Sequence, residues 1–302
     1  MYMEQKELID RINELKKKKK AVILVHNYQR EEIYKVADFI GDSLDLAKKA
    51  ASVDAEIIVF CGVDFMAETA KILSPKSKVL LPSRDATCPM AQMITVEKLR
   101  EMKSKYPDAA VISYVNTNAD IKAESDVCCT SMNAIHIVEK IPQQKIIFIP
   151  DVHLGEWVKE HTKKEIITCE GFCFVHSKIL VDSAKKAKEL HPNAKLVAHP
   201  ESPLEVLKIA DLVTGTGGMI KYVKEDSAKE FIIATEEGMI NRLIKDVPEK
   251  KFYAIGGVCF NMKKTTLERV YDAINEEKYE INVDSEIARK AKKALDKMID
   301  LS

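Results

Sequence analysis

The stretch Gly171-Phe172-Cys173-Phe174-Val175-His176 sets the scale of the whole chain. Measured from its cysteine, Cys88 lies 85 residues before (173 − 88) and Cys259 lies 86 after (259 − 173). Each of the three is followed by a helix-like segment, at Met93 to Tyr106, His176 to Leu190 and Met262 to Asn275. A period this long is a domain rather than a solenoid repeat. Like residues in like settings predict a chain built three times from one unit, each unit giving one thiol to a shared centre.

Other landmarks keep the period. Pro107 and Pro192 are 85 apart (192 − 107) and precede strand-like runs at Val111–Val115 and Leu196–Ala198. Hydroxyls at Ser43, Ser131 and Thr216 open the second predicted helix of each unit, 88 and 85 apart (131 − 43 and 216 − 131). Later strand ends recur at Val63-Asp64, Pro150-Asp151 and Thr235-Glu236. The first unit shows the grammar in full. A helix over Glu4 to Lys20 precedes the buried-type strand Ala21–Val25, which ends in His26-Asn27-Tyr28-Gln29. A helix through Ile33, Val36, Ala37 and Ile40 is expected next, then a helix from Gly41-Asp42-Ser43. The strand Glu56–Cys61, a helix to Leu73 and the strand Lys78–Leu81 complete it. The basic run Lys16–Lys20 reads as a solvated helix end, where cations favour the macrodipole.

A chain of 302 residues fits two or three domains of about 100 residues each. Lys+Arg and Asp+Glu both number 47, a balance that argues against a nucleic-acid or anionic-membrane binder. No apolar run approaches the roughly 20 residues of a membrane span. The opening Met1 to Glu7 lacks the apolar core of a secretory signal, so a cytoplasmic protein is expected. In that compartment seven cysteines read as metal ligands or buried thiols rather than disulfides.

Parallel α/β units place polar residues just beyond strand ends and helix N-termini on the same side, where carboxylates and phosphates bind. Three such ends, each with a hydroxyl, predict one cavity at the three-unit junction for a small substrate with several anionic groups. Cys88, Cys173 and Cys259 fit an iron–sulfur cluster with one open position, structural zinc, or inert thiols. Cys61, Cys128, Cys129 and Cys169 lie off the period and read as buried thiols. His26 and His199 end strands at equivalent positions beside Tyr28 and Glu201, a pattern suited to acid–base work. His176 follows Cys173 by three residues and faces the same cavity on this reading. His136, His153, His161 and His191 read as structural. Gly215-Thr216-Gly217-Gly218 lacks a P-loop lysine and reads as an anion-binding turn.

Several motifs resemble the quinolinate synthase family: His26-Asn27-Tyr28-Gln29, Gly41-Asp42-Ser43-Leu44, Ala86-Thr87-Cys88-Pro89-Met90-Ala91, Tyr114-Val115-Asn116 and Cys129-Thr130-Ser131. So do the 171–176 stretch, His199-Pro200-Glu201, Thr235-Glu236-x-Gly238-Met239 and Cys259-x-Asn261-Met262. The resemblance implies three homologous three-layer αβα domains in pseudo-threefold arrangement around a central active site. Their bounds would be 1–87 with the tail 263–302, 88–172 and 173–262. It implies a [4Fe-4S] cluster on Cys88, Cys173 and Cys259, whose free iron acts as a Lewis acid. The implied reaction condenses iminoaspartate with dihydroxyacetone phosphate to quinolinate, releasing phosphate and two waters, in de novo NAD biosynthesis. A functional link to an L-aspartate oxidase or aspartate dehydrogenase follows. By the same carry-over Tyr28 and Glu201 move protons, with His26 and His199 beside them. His26, Ser43, Asn116, Ser131, His199 and Thr216 hold carboxylates and phosphate, and Tyr114 and His176 line the cavity. The chain departs from the family at Thr214-Gly215, which removes the hydroxyl before Thr216, and at Cys128, where an apolar residue is usual. The rival readings are another iron–sulfur hydro-lyase of a small carboxylate and a non-catalytic iron–sulfur ligand sensor.

Overall fold

The computed structural model describes residues 4–302, so Met1 to Met3 of the opening stretch lie outside it. The first unit contains α1 (Gln5–Lys18), β1 (Ala21–His26), β2 (Phe39–Gly41), α2 (Ser43–Ser52), β3 (Ile57–Cys61), α3 (Asp64–Leu73) and β4 (Lys78–Leu80). The second contains α4 (Val96–Lys105), β5 (Ala110–Tyr114), α5 (Ala119–Ala123), β6 (Val127–Cys129), α6 (Ala134–Lys140), β7 (Lys145–Ile149), α7 (Val152–Glu160) and β8 (Glu165–Thr168). The third contains α8 (Val181–Leu190), β9 (Lys195–Ala198), α9 (Leu204–Leu207), β10 (Leu212–Val213), α10 (Thr216–Glu225), β11 (Glu230–Ala234), α11 (Gly238–Asp246) and β12 (Lys251–Ala254). The chain ends with α12 (Leu267–Glu276) and α13 (Ser285–Asp300). No helix among the described residues is long and apolar enough to cross a membrane.

Each unit builds one parallel four-stranded sheet, in the orders β2-β1-β3-β4, β6-β5-β7-β8 and β10-β9-β11-β12. The same order three times is the repeat seen in the sequence. The leading strands read as unbroken apolar runs because helices cover both faces of a parallel sheet. One aspartate per unit fixes the same corner. Asp38, Asp126 and Asp211 stand just before β2, β6 and β10, and each accepts the backbone N–H of Ile23, Val111 or Leu196, at 2.8, 2.7 and 2.7 Å.

Two expectations are corrected. The helix expected through Ile33 to Ile40 is a 3₁₀ turn over Glu31–Lys35 followed by β2. Asp38 ends the turn by its bond to Ile23, and Ile40 pairs with Val25 in the ladder. The tail 263–302 is divided rather than belonging wholly to the first unit. Leu267, Val270, Ala273 and Ile274 of α12 pack with Leu8 and Ile12 of α1 in the first unit's core. Ala291, Ala294, Leu295 and Met298 of α13 instead pack among Ile112, Val127 and Phe148 of the second.

The units share apolar cores. Leu24, Phe60 and Met66 of the first unit pack with Val197, Phe231 and Met239 of the third. Leu44, Ala47 and Ile72 of the first pack into the second unit's core. Cys88 borders both clusters.

Candidate active site at the three-unit junction

The carboxyl ends of the leading strands face one cavity of about 270 Å³, room for a small substrate. All thirteen residues singled out from the sequence line it. His26 ends β1 and Tyr28 lies in the turn beyond; Tyr114 ends β5, with Asn116 two residues on. His199 and Glu201 follow β9, Ser43 and Thr216 begin α2 and α10, and Ser131 lies in the turn before α6. Cys88, Cys173 with His176, and Cys259 sit in the connections that leave β4, β8 and β12. The other four cysteines lie elsewhere. Cys61, Cys128 and Cys129 are buried in strands, and the Cys169 thiol donates to the Pro150 carbonyl at 2.8 Å. His161 packs on Trp157 and His191 on Tyr253, away from the cavity.

Two histidines are held alike. The Tyr28 N–H donates to His26 Nδ1 at 3.2 Å, and the Glu201 N–H donates to His199 Nδ1 at 3.3 Å. Burial, with Lys263 near the first and His176 near the second, pulls both imidazoles down to about 3. Each is therefore neutral at pH 7, and its Nε2–H is left as a donor. His199 Nδ1 also lies 3.3 Å from Glu201 Oε2, but a neutral, accepting nitrogen makes no ion pair there.

His176 is wired differently. Its Nδ1 lies 2.8 Å from Glu201 Oε2 and 3.2 Å from Cys173 Sγ, and its Nε2 lies 2.8 Å from Thr235 Oγ1. Thr235 Oγ1 is in turn 2.6 Å from the Tyr28 hydroxyl. With Nδ1–H given to the carboxylate, Nε2 accepts from Thr235, whose oxygen accepts from Tyr28. Burial pushes the Glu201 carboxyl up, yet His176 beside it outweighs that and holds it below the ordinary carboxylate range. Burial and the nearby Glu201 push the Tyr28 phenol well above its usual value. Thr235 was not a candidate from the sequence, since the equivalent positions Val63 and Pro150 carry no hydroxyl.

The anion-facing end differs from three equal helix starts. Asp42 caps α2 by accepting the N–H groups of Leu44 and Asp45, both at 2.9 Å. Burial pushes its carboxyl up to about 6, with Asp45 adding to the shift. Asp42 lines the cavity and was another residue the sequence reading passed over. α6 starts three residues after Ser131, so of these three helices only α2 and α10 open on a hydroxyl. The glycines before and within α10 permit close approach by the other units. A Cβ at 215 would lie 2.8 Å from Ser131 Oγ, and one at 217 would lie 2.5 Å from Asp42 Oδ2. Ser131 thus brings a hydroxyl against position 215, where the chain itself lacks one. Asn27 Nδ2 donates to Thr216 Oγ1 at 3.0 Å and ties the first unit to the third.

The three periodic thiols share one local setting. The backbone N–H groups of Ala91, His176 and Met262, each three residues on, point at the sulfurs of Cys88, Cys173 and Cys259. Burial nevertheless raises all three thiols, Cys88 to about 12, so only a bound cation would make them thiolates at neutral pH. Three soft donors with N–H groups aimed at sulfur fit an iron–sulfur cluster with an open position. Asn116 Oδ1 is buried in the same cavity without a partner, as a ligand-facing group would be. Cys173, His176 and Glu201 also offer ligand atoms within 4.8 Å of one another, a geometry a single metal ion could use.

The sequence profile of the family described as quinolinate synthetase A protein matches residues 10–300. The chain belongs to that family. Among its relatives, quinolinate synthase of Caldicellulosiruptor saccharolyticus is 51% identical over 294 residues, covering 96% of this chain and 97% of the relative. Quinolinate synthase of Methanoregula boonei is 49% identical over 296 residues, 97% and 98% of the two chains. That of Alkaliphilus metalliredigens is 48% identical over 302 residues, 99% and 100%. The chain is an enzyme of the quinolinate synthetase A protein family.

Proposed function

We propose that the chain condenses iminoaspartate with dihydroxyacetone phosphate to give quinolinate, phosphate and two waters, as a transferase of pyridine nucleotide biosynthesis. The observation that carries this is the convergence of three units' strand ends, with neutral histidine donors and three periodic thiols, on one small cavity. The reading includes a pseudo-threefold arrangement of units at 1–87, 88–172 and 173–262, with α12 joined to the first. It also includes a cytoplasmic location, where thiols stay reduced, and a supplier enzyme that makes iminoaspartate from aspartate by oxidase or dehydrogenase chemistry.

Cys88, Cys173 and Cys259 would hold the [4Fe-4S] cluster. When bound, its open iron supplies Lewis-acid chemistry toward a substrate oxygen or nitrogen. The rest falls to the chain. The Nε2–H groups of His26 and His199 donate to substrate carboxylate oxygens, and neutral donors fix an anion without an ion pair that must later be broken. Ser43, Ser131 and Thr216, with the open start of α10, hold the phosphate and then release it. Asn116 and Tyr114 close the wall beside Glu201. Condensation, dehydration and ring closure each need protons moved. Tyr28 faces the cavity and passes its proton through Thr235 to His176 Nε2, while Glu201 stabilises the charge that arrives on the imidazole. Return along the same path makes Tyr28 the acid for departing water. The aliphatic and aromatic wall of Val63, Phe65 and Met66 limits solvent there.

The Cys173, His176 and Glu201 cluster favours a second reading, a mononuclear metal enzyme. Iron and acid-labile sulfide per chain, after anaerobic reconstitution, decide between them. The cluster reading expects about four of each, lost in Cys88→Ala, Cys173→Ala and Cys259→Ala alike and kept in Cys128→Ala. One metal without sulfide, kept in Cys88→Ala, would establish the mononuclear site and sink the cluster.

A further inference from the structure

We propose that Asp64, Asp151 and Glu236 are positioning residues that clamp the three cysteine loops through the cysteines' own backbone. The inference rests on the reading of Cys88, Cys173 and Cys259 as cluster ligands. The Cys88 N–H donates to Asp64 Oδ1 at 3.1 Å, the Cys173 N–H to Asp151 Oδ2 at 3.2 Å and the Cys259 N–H to Glu236 Oε1 at 3.0 Å. Two residues before each cysteine a second bond runs the other way. The carbonyls of Ala86, Gly171 and Gly257 accept the N–H groups of Asp64, Val152 and Glu237, at 2.9, 2.7 and 3.0 Å. Each cysteine loop is thus pinned at two points to the segment following its unit's third strand, β3, β7 or β11.

A thiolate set must hold its sulfurs in fixed mutual geometry, yet these loops contain no strand or long helix that would do so. The carboxylates supply the missing constraint. Two of them are not placed for solubility, Asp151 being 0% and Glu236 1% exposed, and Asp64 is half-buried. A buried carboxylate is costly unless its oxygens are filled by hydrogen bonds, and here those bonds go to the cysteine loop and to the following helix. Asp64 accepts from Phe65 at 2.9 Å, Asp151 from Leu154 at 2.7 Å and Glu236 from Gly238 at 2.7 Å. The third clamp reaches further. Lys263 Nζ lies 3.0 Å from Glu236 Oε1 and also donates to the Tyr28 carbonyl, so the Cys259 loop and the Tyr28 turn move as one.

The oxygens are used unequally, and this makes the proposal sharp. Asp64 takes both N–H groups on Oδ1. Asp151 divides its two between Oδ1 and Oδ2, and Glu236 divides its two between Oε2 and Oε1. An amide keeps one accepting oxygen and turns the other into a donor. Asp64→Asn therefore preserves its clamp, whereas Asp151→Asn loses one bond and sets an NH₂ against an N–H, and Glu236→Gln does the same and also gives up the Lys263 ion pair.

The test is made on the full chain in two forms. In the cluster-free chain, hydrogen exchange is followed in the peptides spanning 171–176, 257–262 and 86–91. In the reconstituted chain, the rate of iron release to excess ferrozine is followed anaerobically. Asp151→Asn and Glu236→Gln are expected to exchange faster in their own loops and to release iron roughly tenfold faster than wild type, the size of one lost charge-assisted bond. Asp64→Asn is expected to match wild type in both. Equal behaviour of the three variants, all slow or all fast, overturns the proposal. If Asp151→Asn does not fold, Glu236→Gln against Asp64→Asn decides it, with Lys263→Met showing how much of the Glu236→Gln effect is the lost ion pair. If wild type takes up no iron, the cluster reading fails, and the exchange contrast by itself upholds or overturns the clamps.

Discussion

Tyr28 Oη lies 2.6 Å from Thr235 Oγ1 although 207 residues separate them in sequence. The contact joins the turn after the first unit's leading strand to the end of β11 in the third unit. It exists because the two units share an apolar core, with Tyr28 itself packed beside Met239 and Phe231. Through Thr235 the tyrosine reaches His176, and through His176 it reaches Glu201 and Cys173. The hydroxyl–imidazole chain and the thiol site are therefore one connected assembly.

Thr235→Ala interrupts that path without removing either end. Its turnover is expected to fall by about 10²- to 10⁴-fold, the usual worth of a positioned proton-transfer group, with iron content unchanged. Thr235→Ser keeps the hydroxyl and is expected to recover most of the rate. Tyr28→Phe is expected to fall as far as Thr235→Ala, and the double variant no further, since both cut the same path. Steady-state kinetics of the three variants and the pair, with iron assays alongside, check this.

Glu201→Gln takes away the negative acceptor that the His176 Nδ1–H faces at 2.8 Å. The expected outcome is a fall in kcat of about 10²-fold or more with the cluster retained. A variant with cluster and near-normal kcat removes Glu201 from the proton path.

Asp42 gives a pH dependence with a definite sign. Its folded carboxyl sits at about 6, above the ordinary 3.8, because burial disfavours the charged form. The folded state then holds a proton that the unfolded chain has released, so its contribution to stability is present below about pH 4 and is lost as pH rises through about 6. Asp42→Asn keeps an accepting oxygen for the Leu44 and Asp45 N–H groups but cannot ionise. Its stability relative to wild type is expected to rise across that window, by about 3 kcal/mol at most. Urea unfolding at pH 4 and pH 7 measures the difference.

Lys122 is 0% exposed, bonded to the Thr117 carbonyl and set 5.4 Å over the Phe65 ring. Asp64 and Glu68 are its acidic neighbours across the first and second units. Lys122→Met leaves that carbonyl unpaired and removes a cation near both acids, at an expected cost of about 1–3 kcal/mol. Adding Glu68→Gln is expected to recover part of the loss. Denaturant midpoints of the single and double variants test it.

Much of the architecture was legible because it is written three times. Cys88, Cys173 and Cys259 stand in the same connection of each unit, and α4, α8 and α12 each begin eight residues after their cysteine (96 − 88, 181 − 173, 267 − 259). Asp38, Asp126 and Asp211 carry an equally regular signal, but an acid before a short strand looks like ordinary turn chemistry. What the repeat concealed is what only one unit has. Thr235 replaces Val63 and Pro150 at its position, and a search for periodic hydroxyls passes over it. The destination of α13 was hidden for another reason. Its apolar face, Ala291, Ala294, Leu295 and Met298, states that it packs but not where, and the second unit's core lies more than 100 residues away in the chain. The short β2 likewise depends on Val25 across the ladder, which no local pattern around Ile40 reveals.

The most direct measurement is quinolinate formation by the anaerobically purified, iron- and sulfide-reconstituted chain, supplied with freshly generated iminoaspartate and dihydroxyacetone phosphate. Quinolinate and phosphate released in equal amounts, and lost together on exposure to air, are the predicted result. Iron-loaded protein that binds both compounds yet forms no quinolinate would contradict the account.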